Sequence, residues 1–259
     1  MALRKQNLAR RVVGWGRHPR RLARAKRLGA VDQTTSDLSK AVGGAEIVVL
    51  ATPVGEIPRL AGRVARMLPQ NAIFTDVGSS KAWILKEVDR RGGRAGRFVG
   101  GHPFAGSERV GVESARADLF KGSLFFLVPS RSAQLTAQAK VRRMWRGVGA
   151  KVVRLSAGEH DRLAAGISHL PHLAAAALVL SVSDRDAKSA STGFRDTTRI
   201  AQSGAAMWRD ILISNRQEVL TAVKHYRRTL EGMERMLRRG DAKKLMKCLA
   251  AAARKRACL

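Results

Sequence analysis

The sequence predicts an α/β half followed by an all-α half, and three observations carry that prediction. Short, continuous apolar runs alternate with helical stretches up to about residue 155. Strands that are apolar throughout belong to largely parallel sheets covered on both faces. From about Ser156 onward the pattern is helical with few strand signals. The turn-forming pairs Thr52-Pro53, Gly78-Ser79 and Gly101-His102 each follow an expected strand. Ligands in such sheets bind at the carboxyl ends of strands.

The elements follow in order. Residues 1–7 read as the tail of a helix, and 11–15 (RVVGW) as a strand. Residues 20–28 read as a helix ended by Gly29. Residues 45–51 (AEIVVLA) form a continuous apolar strand, and 58–68 a helix with apolar residues at helical spacing. Residues 72–76 are a further strand. The run GSSK at 78–81 opens the next helix, with Ser79 as a candidate N-cap. Residues 98–99 and 124–128 complete the strand set. Residues 159–182, 206–237 and 241–253 read as helices, punctuated by Gly193 and Gly204. Two domains are expected, 1–155 and 156–259.

Lysine and arginine outnumber acids by 49 to 20, for a net charge of +29. Nucleic acid is the obvious partner for such a chain. However, the arginines are dispersed, and only four tryptophans and one tyrosine are available for stacking on bases. No specific nucleic-acid partner is expected, and the charge reads as a solvated surface. The longest apolar run, 173–182, falls short of the ~20 residues that span a bilayer. With a charged start (MALRKQNLARR), neither a membrane span nor secretion is expected. Cys248 and Cys258 fit no metal spacing and no disulfide framework, so a reducing cytoplasm is the expected compartment. His18, His160 and His225 lack companion ligands in the sequence, and no metal is expected.

Chemistry concentrates in three stretches. Residues 100–108 (GGHPFAGSE) place His102 in what reads as a glycine-rich loop at a strand end, free to reach a ligand. Residues 168–172 (SHLPH) set a proline between His169 and His172. Residues 194–210 (FRDTTRIAQSGAAMWRD) place Asp196 one helical turn before Arg199, a spacing that an ordinary helix pair also has. Trp208 by itself reads as core.

Together these stretches resemble the prephenate/arogenate dehydrogenase family of tyrosine biosynthesis, and the resemblance runs over nearly the whole chain. It implies a Rossmann-like, mostly parallel dinucleotide-binding domain over 1–155. It also implies an all-α domain over 156–259 that completes the substrate site and forms a homodimer. The reaction implied is an oxidative decarboxylation. Hydride leaves C4 of a cyclohexadienol for the nicotinamide, the C4 hydroxyl becomes a carbonyl, and CO₂ departs.

By this resemblance His102 is the base on the C4 hydroxyl, a role that a neutral imidazole can fill near pH 7. Ser79 bonds the hydroxyl and the nicotinamide side. Arg199 binds a substrate carboxylate, for which its planar fork is suited, and His172 lines the pocket while His169 is structural. Ser107, Gly193 and Trp208 match further pocket positions. Asp196 orients Arg199 or closes a gate with Glu108. Thr52, Pro53, Val54 and Ser79 are the expected cofactor contacts, together with Arg17. Many NAD enzymes carry an acid near the position of Arg17, and an arginine there can pair with a 2′-phosphate. NAD and NADP therefore both stand as cofactors, as do prephenate and arogenate as substrates.

In a dinucleotide-binding fold a GxGxxG turn precedes the first helix. None precedes strand 11–15, so the chain is expected to begin within that helix and to bind dinucleotide poorly as written. A start placed too late in the gene and a genuinely shortened, non-catalytic relative are both open readings.

Overall fold

The computed structural model describes residues 1–92, 96–105 and 111–258. They fall into two compact units, Met1–Asn215 and Arg216–Leu259. Ser107 and Glu108 lie outside the described residues.

The first unit begins with helix α1 (Ala2–Lys5), strand β1 (Val13–Trp15), helix α2 (Pro19–Arg27), strand β2 (Gln33–Thr35) and helix α3 (Leu38–Val42). Gly29, at φ +67°, ends α2 in a conformation that costs glycine nothing. Strand β3 (Ile47–Leu50) leads through a 3₁₀ turn (Val54–Glu56) into helix α4 (Ile57–Met67). Then come β4 (Ile73–Asp76), α5 (Ala82–Arg90), β5 (Phe98–Phe104), β6 (Leu124–Pro129), α6 (Leu135–Gly147) and β7 (Lys151–Arg154). Strands β3-β4-β5-β6-β7 form one sheet in that order. All neighbours in it are parallel except β5 and β6, which are antiparallel. Strands β1 and β2 pair in parallel as a separate two-stranded sheet.

Both faces of the central strands β4, β5 and β6 are covered, while the edge strands β3 and β7 are partly exposed. Phe74, Phe126 and Val128 pack with Ile57 and Val64 of α4 and Ile84 of α5. The alternate residues Val99, Phe125 and Leu127 face Ala137, Val141 and Trp145 of α6. The Phe125 and Trp145 rings stack at 4.2 Å.

Elements that the sequence does not announce include β2, β7, α6, the short helix α3 and, further on, the short helix Asp184–Ala187. Strand β2 (QTT) is three residues and polar, β7 (KVVR) is flanked by charge, and α6 is an ordinary amphipathic helix. Strand β5 corrects an expectation. It runs on through His102 to Phe104, so GGHPF is strand and not loop. Its glycines answer to packing. A Cβ on Gly101 would lie 2.5 Å from Phe125 Cζ, and one on Gly100 would lie 2.6 Å from the Val128 carbonyl oxygen.

The rest of the first unit is helical. A capping box of Ser156 and Glu159 starts α7 (Ala157–Ala164), which passes through a π turn (Ala165–His169) into α8 (Leu170–Leu180). The π turn absorbs Pro171, which has no N–H to give to the helix ladder. By length and composition this 24-residue stretch, Ala157–Leu180, could cross a bilayer. It carries His160, Asp161 and His169 at 0–2% exposure in hydrogen bonds to other parts of this unit, while Ile167 and Leu178 to Leu180 are exposed. Helices α9 (Asp184–Ala187) and α10 (Thr192–Thr198) follow, then a 3₁₀ turn (Arg199–Gln202) and α11 (Ala205–Ser214). The second unit consists of α12 (Arg216–Arg238) and α13 (Ala242–Ala257), joined through Gly240.

Candidate active site

His102 stands in the middle of β5, opposite Phe126 of β6. Strand periodicity points it to the same face as Phe98 and Phe104. It is 8% exposed, edge-on to Phe104 at 5.5 Å. Its Nδ1 lies 2.9 Å from Nε2 of His160 on α7. His160 Nδ1 in turn lies 2.7 Å from Asp161 Oδ1. Burial pushes the His102 pKa well below the usual 6.5, with His160 and Lys81 adding to the effect. His102 is therefore neutral at pH 7.

Under this row lies a buried ion pair. Asp76, the last residue of β4, binds the Lys81 ammonium, and both side chains are 0% exposed. Asp76 also accepts the backbone N–H groups of Gly78 at 2.9 Å and Gly101 at 3.0 Å. Burial lowers the Lys81 pKa, opposed first by Asp76 and then by Asp161. A Cβ on Gly78 would strike Ile84, Ile57 and Asp76 within 2.9 Å, so glycine is required for the chain to turn tightly over this pair.

The expected cap role of Ser79 is not found. Helix α5 begins at Ala82, and Asp161 accepts its first free N–H groups, from Lys81 at 2.7 Å and Ala82 at 2.9 Å. The cap thus comes from a distant helix, an arrangement that local sequence does not reveal. Ser79 is half-buried, with its backbone toward the His169 ring. Ser80 beside it is buried, its hydroxyl 2.7 Å from that of Ser214.

The π turn and α8 bring His169 and His172 to the same region. His169 Nδ1 meets the Asn215 amide at 3.2 Å, and that amide also donates to the Asp161 carbonyl at 2.8 Å. Burial lowers the His169 pKa to about 4. His172 lies flat on Trp208 of α11, with ring centroids 3.7 Å apart and planes 4° from parallel. Burial lowers its pKa too, against a bond to the backbone of Ile200. His172 Nδ1 and Trp208 Nε1 are buried with no protein partner. Unpaired buried donors and acceptors are costly in a finished core, so these two polar atoms suit a ligand.

Arg199 opens the turn that contains Ile200. It lies with Asp196, Phe194 and Thr198 along an open cleft of about 500 Å³. Gly193 is exposed one turn earlier.

Of the expected cofactor contacts, Arg17, Thr52 and Pro53 line a small cleft of about 60 Å³ with Trp15, Arg59 and Arg63. The Thr52 hydroxyl is buried there without a protein partner. The cationic lining and this idle hydroxyl fit the sugar-phosphate end of a dinucleotide. Val54 follows Pro53 at the start of the 3₁₀ turn. Its side chain is 4% exposed and packs in the core. Asp210 of α11 packs on Gly55, which ties the helix carrying Trp208 to the turn after β3.

Sequence reasoning missed Asp76, Lys81, Asp161 and Asn215, and set His160 aside for want of companions. One signal was available. A His-Asp pair and two further histidines interrupt an otherwise apolar helix, and buried polar groups require partners. Among the described residues no three His, Cys, Asp or Glu side chains group as a metal site.

Comparison with known proteins agrees with this architecture. The family model for the prephenate dehydrogenase nucleotide-binding domain matches residues 1–154, and that for the prephenate dehydrogenase dimerization domain matches 156–251. The chain is 31% identical over 254 residues to the prephenate dehydrogenase of Bacillus subtilis, covering 95% of this chain and 68% of that protein. It is 32% identical over 227 residues to the Lactococcus lactis prephenate dehydrogenase, covering 84% of this chain and 62% of the relative. A crystal structure of prephenate dehydrogenase from Aquifex aeolicus, in complex with hydroxyphenyl propionate and NAD⁺, superposes with a TM-score of 0.91 at 30% identity. It covers 99% of this chain and 91% of the other. A Synechocystis arogenate dehydrogenase superposes with a TM-score of 0.82 at 27% identity, covering 99% and 93%. With both halves matched in order along its length, the chain belongs to the prephenate dehydrogenase family.

Proposed function

We propose that this chain carries out the NAD- or NADP-dependent oxidative decarboxylation of prephenate to 4-hydroxyphenylpyruvate. The observation that carries the reading is His102, neutral at pH 7 and held at one ring nitrogen in an aromatic-lined interior position. A bound nicotinamide supplies the hydride acceptor. His102 takes the proton of the C4 hydroxyl as the carbonyl forms, and Phe104 and Phe126 keep water from the imidazole. Arg199 holds a substrate carboxylate, with Asp196 beside it in the same cleft. The stacked His172–Trp208 pair supplies a flat wall with two idle ring nitrogens. Ser79, at the turn after β4, serves the hydroxyl and the nicotinamide side, and Arg17, Thr52 and Pro53 hold the far end of the cofactor. NAD is favoured by the cofactor of the Aquifex structure, and NADP by Arg17, Arg59 and Arg63 around one cleft.

Arogenate is the second reading, favoured by the likeness to the Synechocystis enzyme and by 32% identity to a cyclohexadienyl dehydrogenase of Zymomonas mobilis. We assign the substrate and dimerisation domain to the residues from Ser156 onward, where the capping box starts and the two family models meet. A homodimer through this part is supported by exposed apolar side chains on both units, among them Ile167, Leu180, Ile213, Leu237 and Met246. The compartment we propose is the cytoplasm.

The test is turnover of prephenate and of arogenate with each cofactor, followed by nicotinamide absorbance. His102→Asn is expected to lower kcat by about 10²–10⁴-fold with little change in KM, as for loss of a general base. Near-full kcat in that variant would remove His102 from the chemistry.

A further inference from the structure

The role proposed for His102 leaves one question open: which of its two ring nitrogens is bare. Only the bare nitrogen can accept a proton, and the bond made by the other nitrogen decides which it is.

The chain of contacts starts at Asp161, which is 2% exposed. Its Oδ1 accepts the Lys81 backbone N–H, and its Oδ2 accepts that of Ala82. An ionised carboxylate is acceptor-only, and two backbone N–H donors suit it in that form. Its contact with His160 Nδ1, at 2.7 Å, therefore has the proton on His160. Taken as a neutral imidazole with its proton at Nδ1, His160 is an acceptor at Nε2. That acceptor lies 2.9 Å from His102 Nδ1, so the proton between the two rings sits on His102. The remaining nitrogen of His102, Nε2, is left with a lone pair.

We infer that His160 and Asp161 are positioning residues that lock His102 as its Nδ1–H tautomer, leaving Nε2 as the base. The inference rests on the role proposed for His102 and adds the groups that prepare it. Had His160 been the first link with no acid behind it, its ring could turn over or change tautomer. Asp161 prevents both, because the first N–H groups of α5 pin the carboxylate itself. His160 is 0% exposed and edge-on to Phe126 at 5.7 Å, so the ring plane is fixed as well.

The test reads the tautomer directly. The full chain, labelled with ¹⁵N at histidine, is examined by NMR correlation of ring nitrogens with ring carbon-bound protons near neutral pH. The signals are assigned by replacing each histidine in turn. His102 is expected to be protonated at Nδ1 and bare at Nε2, with His160 protonated at Nδ1. In His160→Phe, which keeps a flat ring but offers no acceptor, His102 is expected to go over to the Nε2–H form. His160→Gln, which keeps an acceptor oxygen, is expected to retain more of the Nδ1–H form. In kinetics His160→Phe should lower kcat about 10²-fold and leave KM little changed, with partial recovery in His160→Gln.

An Nε2–H His102 in the unsubstituted chain overturns the inference, as does an unchanged tautomer in His160→Phe. If His160→Phe does not fold, His160→Gln and Asp161→Asn decide by the same measurement. The NMR readout needs neither cofactor nor turnover. A chain that shows the Nδ1–H tautomer but turns over no prephenate would contradict the proposed function alone. An active chain with the opposite tautomer would contradict the positioning role alone.

Discussion

The histidine row behind β5 and the arginine cleft on α10 are built in opposite ways. His102, His160, Asp161, Asp76 and Lys81 are each 8% exposed or less, and each is tied by hydrogen bonds to another element. Arg199 and Asp196 are exposed, on an open cleft formed largely by one helix and the turn after it. The difference fits the roles proposed for each group. A proton acceptor needs a fixed direction and a dry surrounding, both of which burial supplies. A carboxylate anchor needs to be reached from solvent, and a guanidinium stays charged without help. Removing the buried ion pair beneath the row should therefore disturb the fold more than removing the exposed cleft arginine.

The largest effect on stability is expected at Lys81. Lys81→Met leaves the Asp76 carboxylate buried beside two backbone N–H groups but without its cation. Breaking one side of such a pair costs about 3–5 kcal/mol, measured as unfolding free energy in urea. The double variant Asp76→Asn/Lys81→Met should recover most of the loss, because no unpaired charge remains. If the single variant were as stable as the parent, the pair would not be the buried support described above.

The next effect depends on pH. The His169 pKa falls from 6.5 to about 4 on folding. Between those values the unfolded chain binds the proton and the folded chain does not, so stability falls as pH drops from 6.5 toward 4. Below about 4 both states are protonated and the loss is complete. The full span is worth roughly 3 kcal/mol. His102 acts in the same direction, since burial lowers its pKa too. His169→Gln should reduce the slope of stability against pH over this window, and an unaltered slope would assign the acid sensitivity elsewhere.

The smallest effect is expected in the open cleft. Arg199→Ala should raise KM for prephenate and lower the unfolding free energy less than Lys81→Met does. Hydrogen bonds to charged groups contribute roughly 1.5–3 kcal/mol. Because Arg199 is exposed, water partly replaces it, which favours the lower end and about a tenfold rise. An unchanged KM with a lowered kcat would move Arg199 from anchor to transition-state contact.

The α/β half was legible because its central strands are covered on both faces, and double coverage leaves an unbroken apolar run such as LFFLVP. His102 stands out in the sequence because a histidine among glycines reads as a loop residue, whereas Gly100 and Gly101 pack within β5. His172 and Trp208 were singled out separately, and their stacking across α8 and α11 was not visible. His160 was set aside because its partners are 58 residues away on β5 and one residue along on its own helix. Ser79 was read as a cap because a serine before a helix usually is one, while the actual cap, Asp161, arrives from a helix 80 positions later.

By itself the sequence determined the layer order, the helical second half, the family and the residue types of the site. Each of these rests on local periodicity or on short motifs, which neighbouring residues along the chain decide. Only the tertiary structure decided that GGHPF is strand, that Asp161 caps α5, and that His160 stands between an acid and His102. Those are pairings between distant segments. They are set by which surfaces exclude water together and by the need of every buried polar group for a partner.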